Sequence, residues 1–565
     1  MNAAYSGAVR QFEEYLSGLE REGRTSPEEI RHIRESGVLN LMNSLRQTYK
    51  KGIPYSIGTD VGSEEYKAVL EKGLGSEALE AFVLEPFMDA VAYKKHMISL
   101  IENAERFLEA SVYHFDMDDG GREMFQRLVS KKLGVRYDPF HVRWAREGVE
   151  LQKLNPDQFK PYLLSELTGR SLDEMRHLGK REAGEIIARR QRPIQIFILV
   201  DAKNMVISNP SLVKPLRYYS TNRFHNAFDE YGIVFLEWGK LLKIARIPLP
   251  LTSKRLPLPV PSGSGFTDGV YHAKYMYNDK GQAIVMGQGI ADKYFQSELE
   301  AGKKRPWRDG GWYLQGKPAL PLSDFHLRQV RRSRPSLDTS GIAADISARL
   351  HAVAPLPGRP AVHFIVTDPK KRIFQFESLV FSAIASARSE ILVDMGFFAD
   401  SRIAKALMER KRANPELRVI VIGPGWTDQP GIAAVNRCLR MNFIRAGIRV
   451  FRWRPDPERT PYDKNAMLHL KAFMVDGRLA YLGSGNFLRR SRRADVEAGY
   501  VTQDPEAVGK LRQFLEEDLD NSQEAGNDPL DFLETPACAA LQKARAVSVT
   551  WSFLSRITNA ALPPY

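Results

Sequence analysis

Cysteine is almost missing from this chain: Cys438 and Cys538 are the only two in 565 residues, and they stand far apart. Neither belongs to a Cys-x2-Cys or His-x3-His pattern, which excludes a disulfide framework and a structural zinc site and fits a reducing compartment. Also missing is any apolar run of the ~18 residues a membrane-spanning helix needs, since Ile194 to Val200 is only strand length. Met1 to Arg24 breaks its apolar residues with Glu13, Glu14, Glu20 and Glu22, so it does not read as a signal peptide. The expectation is a cytoplasmic chain whose contact with the inner membrane surface is peripheral. An acidic surplus is absent too: 81 Lys and Arg against 68 Asp and Glu give a net charge of +13. Such a chain attracts anionic partners, either phospholipid head groups or nucleic acid. With 43% hydrophobic and 26% charged residues it is neither a disordered chain nor a fibre, and its length calls for two or more domains.

What is present says something twice. A helix leading into a strand, Leu100 to Glu105 then Val112 to Phe115, is echoed by Ala383 to Arg388 then Val393 to Phe398. The β-branched run Ile194 to Val200 is matched by Leu417 to Ile422, and Gly232 to Trp238 by Gly447 to Trp453. Strands alternating with helices predict α/β lobes with largely parallel sheets, duplicated in tandem. We place the first lobe at 81–345, with an insertion over 137–192 in which Ser171 caps a helix, and the second at 361–526. Arg331 to Pro335 and Pro355 to Pro360 have linker composition. Residues 1–80 read as a helical extension, with Phe12, Tyr15, Leu16 and Leu19 on one face and a capping box at Ser26, Pro27 and Glu29. The tail, 527–565, carries no readable site.

The fourth repeated landmark carries chemistry. His272-x-Lys274-x4-Asp279 and His469-x-Lys471-x4-Asp476 each lie on an alternating strand that runs into a turn and a returning strand. Alternation puts each histidine and lysine side by side on one face. A lysine beside a histidine repels a metal cation but suits a phosphate, whose non-bridging oxygens it neutralises. No metal and no cofactor is therefore expected. Ser484 and Asn486, in Gly483-Ser484-Gly485-Asn486, can donate further hydrogen bonds, and in the first copy Gln288 stands in for them, with Ile290 where an asparagine is wanted. One neutral imidazole can attack phosphorus while a second, protonated, releases the departing oxygen. For Asp279 and Asp476, at strand ends, a turn role competes with a chemical one.

These motifs resemble those of the phospholipase D superfamily, and among its branches the chain looks most like bacterial cardiolipin synthases and related phosphatidyltransferases. The resemblance covers about Phe87 to Asp520. It implies tandem α/β lobes with pseudo-twofold symmetry, a shared site at their seam, a phosphohistidine intermediate and no metal. His272 would be the nucleophile and His469 the acid. Arg490, Ser491 and Glu497 resemble the family's Arg-Ser and its histidine-orienting glutamate; for the first half, Asp309 in Trp307-Arg308-Asp309 is the matching carboxylate. Three functions follow: transfer or hydrolysis on a phospholipid, with Ile247 to Val260 as a proline-stiffened apolar and basic loop dipping into the interface; a nuclease, with Arg489 to Arg493 as a backbone-binding patch; or a non-catalytic binder of anionic lipid or nucleic acid. Oligomeric state is not readable.

Overall fold

The computed structural model describes residues 59–526 apart from 114, 117, 138–150, 202–226, 239–241, 249–254, 262–268, 296–306, 342, 345–347, 349–360, 428–429 and 464–465. The expectations for Phe12 to Leu19, the Ser26 capping box and the C-terminal tail fall outside these residues. Among the described residues fifteen strands follow one another across a single mixed sheet, with a two-residue sixteenth at its side. The first lobe contributes β1 (Ala78–Met88), β2 (Phe107–Val112), β3 (Gln195–Asp201), β4 (Val234–Trp238), β7 (Tyr275–Asn278), β8 (Gln282–Met286) and β9 (Gly310–Gly316). The second contributes β10 (Ala361–Asp368), β11 (Ile373–Phe374), β12 (Glu390–Met395), β13 (Arg418–Pro424), β14 (Arg449–Trp453), β15 (Lys471–Val475), β16 (Leu479–Gly483), β17 (Glu497–Thr502) and β18 (Ser522–Glu524).

Read across the sheet, the order is β18-β14-β13-β12-β15-β16-β17-β10-β1-β9-β8-β7-β2-β3-β4. Apart from the added edge strand β18, the order is mirrored about the junction of β10 and β1, where Ala78, Leu79 and Glu80 pair antiparallel with His363, Val362 and Ala361. The repeat in the sequence thus becomes a twofold in space. β2, β3 and β4 are parallel, as are β12, β13 and β14, with helices crossing over from β2 to β3 and along β12, β13 and β14. The other strand pairings are antiparallel, so the sheets are not largely parallel as expected, because the motif strands return through tight turns. A core containing Tyr271, Trp312, Leu470 and Tyr500 runs from one lobe to the other. Each lobe also keeps its own core against its crossover helices, Ala90–Asn103 and Asp119–Leu133 in the first and Gln375–Ser386 and Ser401–Ala413 in the second.

Residues just before β1 pack on the second lobe. Val61, Tyr66, Leu70 and Leu74 join its core, and the Tyr66 hydroxyl meets Ser382 Oγ at 2.9 Å. Within the insertion, Ser171 accepts from Glu174 N at 3.3 Å and starts the helix Leu172–Arg176 as its spacing predicts.

The segment read as a loop is instead a hairpin, β5 (Leu242–Pro248) and β6 (Arg255–Pro261), paired only with itself among the described residues. Proline was the misleading signal. Pro257, Pro259 and Pro261 occupy alternate positions opposite Arg246, Ile244 and Leu242, so the missing N–H groups all fall on one edge of β6 and the ladder keeps the others.

Candidate active site

Both motif histidines sit just before a strand that ends in a tight turn. In β15, the strand buries Ala472 and Met474 on one face and Phe473 and Val475 on the other. Asp476 and Gly477 turn with φ of 54° and 61°, a left-handed pair that Asp and Gly tolerate. Lys471 stands opposite Met395 at the carboxyl end of β12, so the motif opens where the parallel strands end.

The two lobes then exchange contacts. Tyr271 bridges Val496 and Arg308 bridges Leu468, each a parallel contact across the seam. His272 N donates to Val496 O at 2.9 Å, and His469 N to Arg308 O at 2.7 Å. Each histidine is consequently held by a carboxylate of the other lobe. His272 Nδ1 lies 3.0 and 3.1 Å from the two Glu497 oxygens, while His469 Nδ1 lies 2.6 Å from Asp309 Oδ2. With Nδ1 so engaged, Nε2 is the nitrogen each ring presents to a reacting atom. Ser484 Oγ donates to Glu497 at 2.5 Å and accepts from Ala498 N at 3.0 Å.

The lysines complete the pair. Lys274 Nζ donates to the His272 carbonyl at 2.6 Å. Lys471 Nζ donates to the His469 carbonyl and lies 3.7 Å from the Asp309 carboxylate. Both are buried. Burial pushes Lys274 down to about 7 and Lys471 down to about 8, against the pull of Glu497 and Asp309. It also pushes Glu497 up to about 7 and Asp309 up to about 6. Burial, then the neighbouring ammonium groups, hold both imidazoles well below their ordinary range. This site lacks solvation for charge, and an anionic phosphodiester would supply what the lysines are missing.

Several expected residues lie elsewhere. Asp279 and Asp476 are at the far ends of their strands from the histidines. Asp279 accepts from the backbone N–H groups of Glu105, Arg106 and Phe107, and Asp476 from those of Arg388, Ser389 and Glu390. Four residues of extended chain, five steps, separate each from its lysine, about 16 Å at the rise of a strand. Their contacts are those of a clamp on the start of β2 or β12, which is the turn role.

Gln288 is displaced by register. Tyr275 pairs Val285 as Ala472 pairs Leu482, so Gly287 corresponds to Ser484, Gln288 to Gly485, and Gly289 to Asn486. Bridges from Phe115 to Ile290 and from Phe398 to Phe487 continue that correspondence. Ile290 therefore replaces no asparagine, and Gln288 matches a glycine whose added Cβ would strike the Phe376 ring behind it at 2.9 Å. Gln288 is buried with both amide atoms unpartnered, and its place in the register is behind the phosphate side. A serine at Gly287 would place a Cβ 2.2 Å from Asp309 Oδ1, so the Asp309 carboxylate would have to leave its place beside His469. Asn486 keeps a buried, unpartnered Oδ1.

The basic run also differs from its reading as a patch. It forms the short helix Arg489–Arg493, in which Arg490 pairs Asp495, Arg492 pairs Asp400 and Glu377, and Arg493 pairs Glu377. Arg490 and Arg492 are thereby used internally, while Arg489 and Arg493 stay exposed.

Aromatic residues not singled out by their motifs frame the rings. Tyr113 stands edge-on to His272 at 5.0 Å, with Lys274 Nζ 5.1 Å from its centroid. Around His469 are Trp307 at 5.2 Å, Phe397 at 5.3 Å and Tyr294 at 5.9 Å. Aligning the two repeats residue by residue would have exposed Tyr113, since its counterpart is Gly396, where a Cβ would lie 2.8 Å from His469 Cα. Among the described residues no cluster of acidic, histidine or cysteine side chains could hold a metal ion, and no helix is long and apolar enough to cross a membrane.

Comparison with known proteins follows the same lines. Residues 380–519 match the family model described as cardiolipin synthase, PLD-like domain. The chain is 26% identical over 256 residues to cardiolipin synthase 2 of Bacillus anthracis, covering 45% of this chain and 46% of that protein. It is 24% identical over 257 residues to cardiolipin synthase A of Pseudomonas entomophila, covering 45% and 48%. The chain thus spans about half the length of the curated relatives it matches. Among solved structures it is similar to phosphatidylserine synthase of Haemophilus influenzae Rd KW20, with a TM-score of 0.53 at 14% identity over 88% of this chain and 100% of that one, a likeness of fold.

Proposed function

From its place in the phospholipase D superfamily, among cardiolipin synthase-like members, we propose that the chain opens a phospholipid phosphodiester and passes the phosphatidyl group to an alcohol or to water. The observation that carries this reading is the pair of imidazoles, each fixed through Nδ1 by the other lobe's carboxylate and each flanked by a buried lysine.

In the proposed sequence Lys274 and Lys471 hold the non-bridging oxygens. His272 Nε2, neutral because its environment disfavours the cation, attacks phosphorus. The N–P bond forms as the P–O bond to the leaving alcohol breaks, and His469, charged by proximity of the bound anion, gives that oxygen its proton. His469 then takes the proton of the incoming hydroxyl as it displaces His272 from phosphorus. Glu497 and Asp309 hold the tautomers and orient the rings, as a buried carboxylate does for a catalytic histidine. A membrane surface containing anionic phospholipid is the substrate source and site of action in this reading. The internal pairing of Arg490 and Arg492 favours lipid over nucleic acid.

The test is product analysis. Purified protein is given phosphatidylglycerol vesicles with and without glycerol, and single-stranded DNA in parallel, in EDTA. Phosphatidic acid marks hydrolysis, a diphosphatidyl product with released glycerol marks transfer to a second lipid, and entry of labelled glycerol into phosphatidylglycerol marks transfer to the added alcohol. Turnover of DNA alone, or wild-type turnover by both His272→Ala and His469→Ala, would refute the reading.

A further inference from the structure

The residues preceding the two orienting carboxylates occupy equivalent places at the seam, yet differ in kind. Before Glu497 is Val496, buried and apolar, bridging Tyr271. Before Asp309 is Arg308, only 4% exposed, bridging Leu468 in the same way. Its guanidinium reaches into the second lobe. Nε lies 2.8 and 3.1 Å from the two oxygens of Asp518, Nη1 donates to the Tyr462 hydroxyl at 3.0 Å, and Nη2 to Phe514 O at 3.3 Å. Asp518 belongs to the helix Pro505–Asp520 and also accepts from Trp453 Nε1 at 3.1 Å. The Arg308 backbone is fixed as well, through Met467 O at 2.9 Å and His469 N at 2.7 Å.

A buried ion pair is a weak source of stability, because apolar residues of similar volume often do as well. Val496 shows that this seam closes on an apolar residue at the equivalent place. What a guanidinium adds is direction, since its planar donors fix one orientation of the chain that bears it. We propose that Arg308 is a positioning residue: pinned by Asp518 and Tyr462, it sets the segment from which Asp309 reaches His469, so the proton-carrying histidine depends on the seating of the helix Pro505–Asp520. At the equivalent place in the His272 half, Val496 carries no guanidinium. This inference rests on the two-histidine reading above.

Two phosphodiesters separate the roles: an alkyl ester, whose alkoxide must be protonated as it leaves, and a p-nitrophenyl ester, whose anion departs unaided. First-turnover rates are read, before His469 has to activate an acceptor. In Arg308→Met the alkyl ester should slow about 100-fold and the p-nitrophenyl ester less than about threefold, as expected when an acid is misplaced while the nucleophile is intact. Arg308→Lys should recover part of the loss, and Asp518→Asn should reproduce part of it. Equal slowing of both esters, or slowing of neither, overturns the proposal. Thermal unfolding reports on folding; should Arg308→Met not fold, Arg308→Lys and Asp518→Asn carry the same comparison. A wild-type protein that turns over neither ester refutes the proposed function instead. The positioning role is then judged by the NMR signal of the His469 Nδ1 proton: its loss or upfield shift in Arg308→Lys supports the role, and an unchanged signal overturns it.

Discussion

The surroundings of His272 and of His469 are built from one repeated plan, and they differ in what holds the carboxylate. Glu497 is supported by Ser484 Oγ at 2.5 Å, whereas Asp309 accepts from its own lobe's Gly310 N at 2.9 Å and has Lys471 beside it. A longer carboxylate with a hydroxyl behind it fits His272; a shorter one with a glycine, Gly287, behind it fits His469. The rings differ also in access. Among the described residues His272 has one aromatic neighbour, Tyr113, and a side chain 12% exposed, while His469 has three rings around it and is 6% exposed. A more open, neutral ring suits attack on phosphorus. The enclosed ring, whose burial disfavours the cation, can carry a proton only with a bound anion beside it. Twofold architecture therefore does not require twofold chemistry.

The largest effect that would break this comparison comes from removing the rings. His272→Ala should abolish covalent labelling and lower turnover by about 10⁴-fold or more, while His469→Ala should retain labelling by an activated ester and lose about 10²–10⁴-fold on alkyl esters. Acid-quenched labelling with radioactive phosphodiester checks this, and labelling at His469 would exchange the two roles. Next come the carboxylates: Glu497→Gln and Asp309→Asn should each cost about 10²-fold or more in kcat with little change in KM, since a wrong tautomer impairs chemistry rather than binding. Steady-state kinetics on both variants would sharpen the comparison, because only the Asp309 variant should be rescued by an activated leaving group.

pH should act on both halves. Glu497 and Asp309, raised to about 7 and about 6, must be ionised to orient their rings, so kcat should fall as pH drops through that range. Lys274 and Lys471, lowered to about 7 and about 8, must be protonated to hold the phosphate, so KM should climb as pH rises through theirs. The profile of kcat/KM is thus a narrow bell. Lys274→Arg, which cannot lose its charge, should move the alkaline limb upward. A flat profile from pH 6 to 9 would contradict the burial argument. The smallest effect on chemistry should come from the turn aspartates. Asp476→Ala or Asp279→Ala removes the acceptor of several backbone N–H groups, destabilising by about 1–3 kcal/mol with kcat and KM nearly unchanged. Thermal unfolding beside kinetics distinguishes this clamp from a catalytic role.

Much of this arrangement was legible in the residues. The turn at Asp476-Gly477 and the paired glycines and tryptophans at Gly232 to Trp238 and Gly447 to Trp453 became the elements their spacing predicts, because each is a local pattern. The alternation around the motifs gave strands that begin only at Tyr275 and Lys471, leaving both histidines and Lys274 just before them. The crossed carboxylates were not legible. Which of Glu497 and Asp309 meets which ring is decided by how β1 and β10 bring the lobes together, and no local pattern encodes a contact between His272 and Glu497. The Gln288 reading failed for a simpler reason. Matching glycine-rich strings by appearance slipped the alignment by one residue, and a slip of one turns a residue to the other face. Gly287 stands as far from His272 as Ser484 does from His469, so counting from the histidines corrects it.

The crossed carboxylates bear on descent as well as on chemistry. Since His272 is held by the second lobe and His469 by the first, the proposed function predicts that loss of either repeat disables both. The partners bound to drift together are those joined across the seam, 272 with 497 and 469 with 309. Duplication usually frees one copy to wander. Here each copy holds half of the other's equipment, and the pair is inherited as a single indivisible unit.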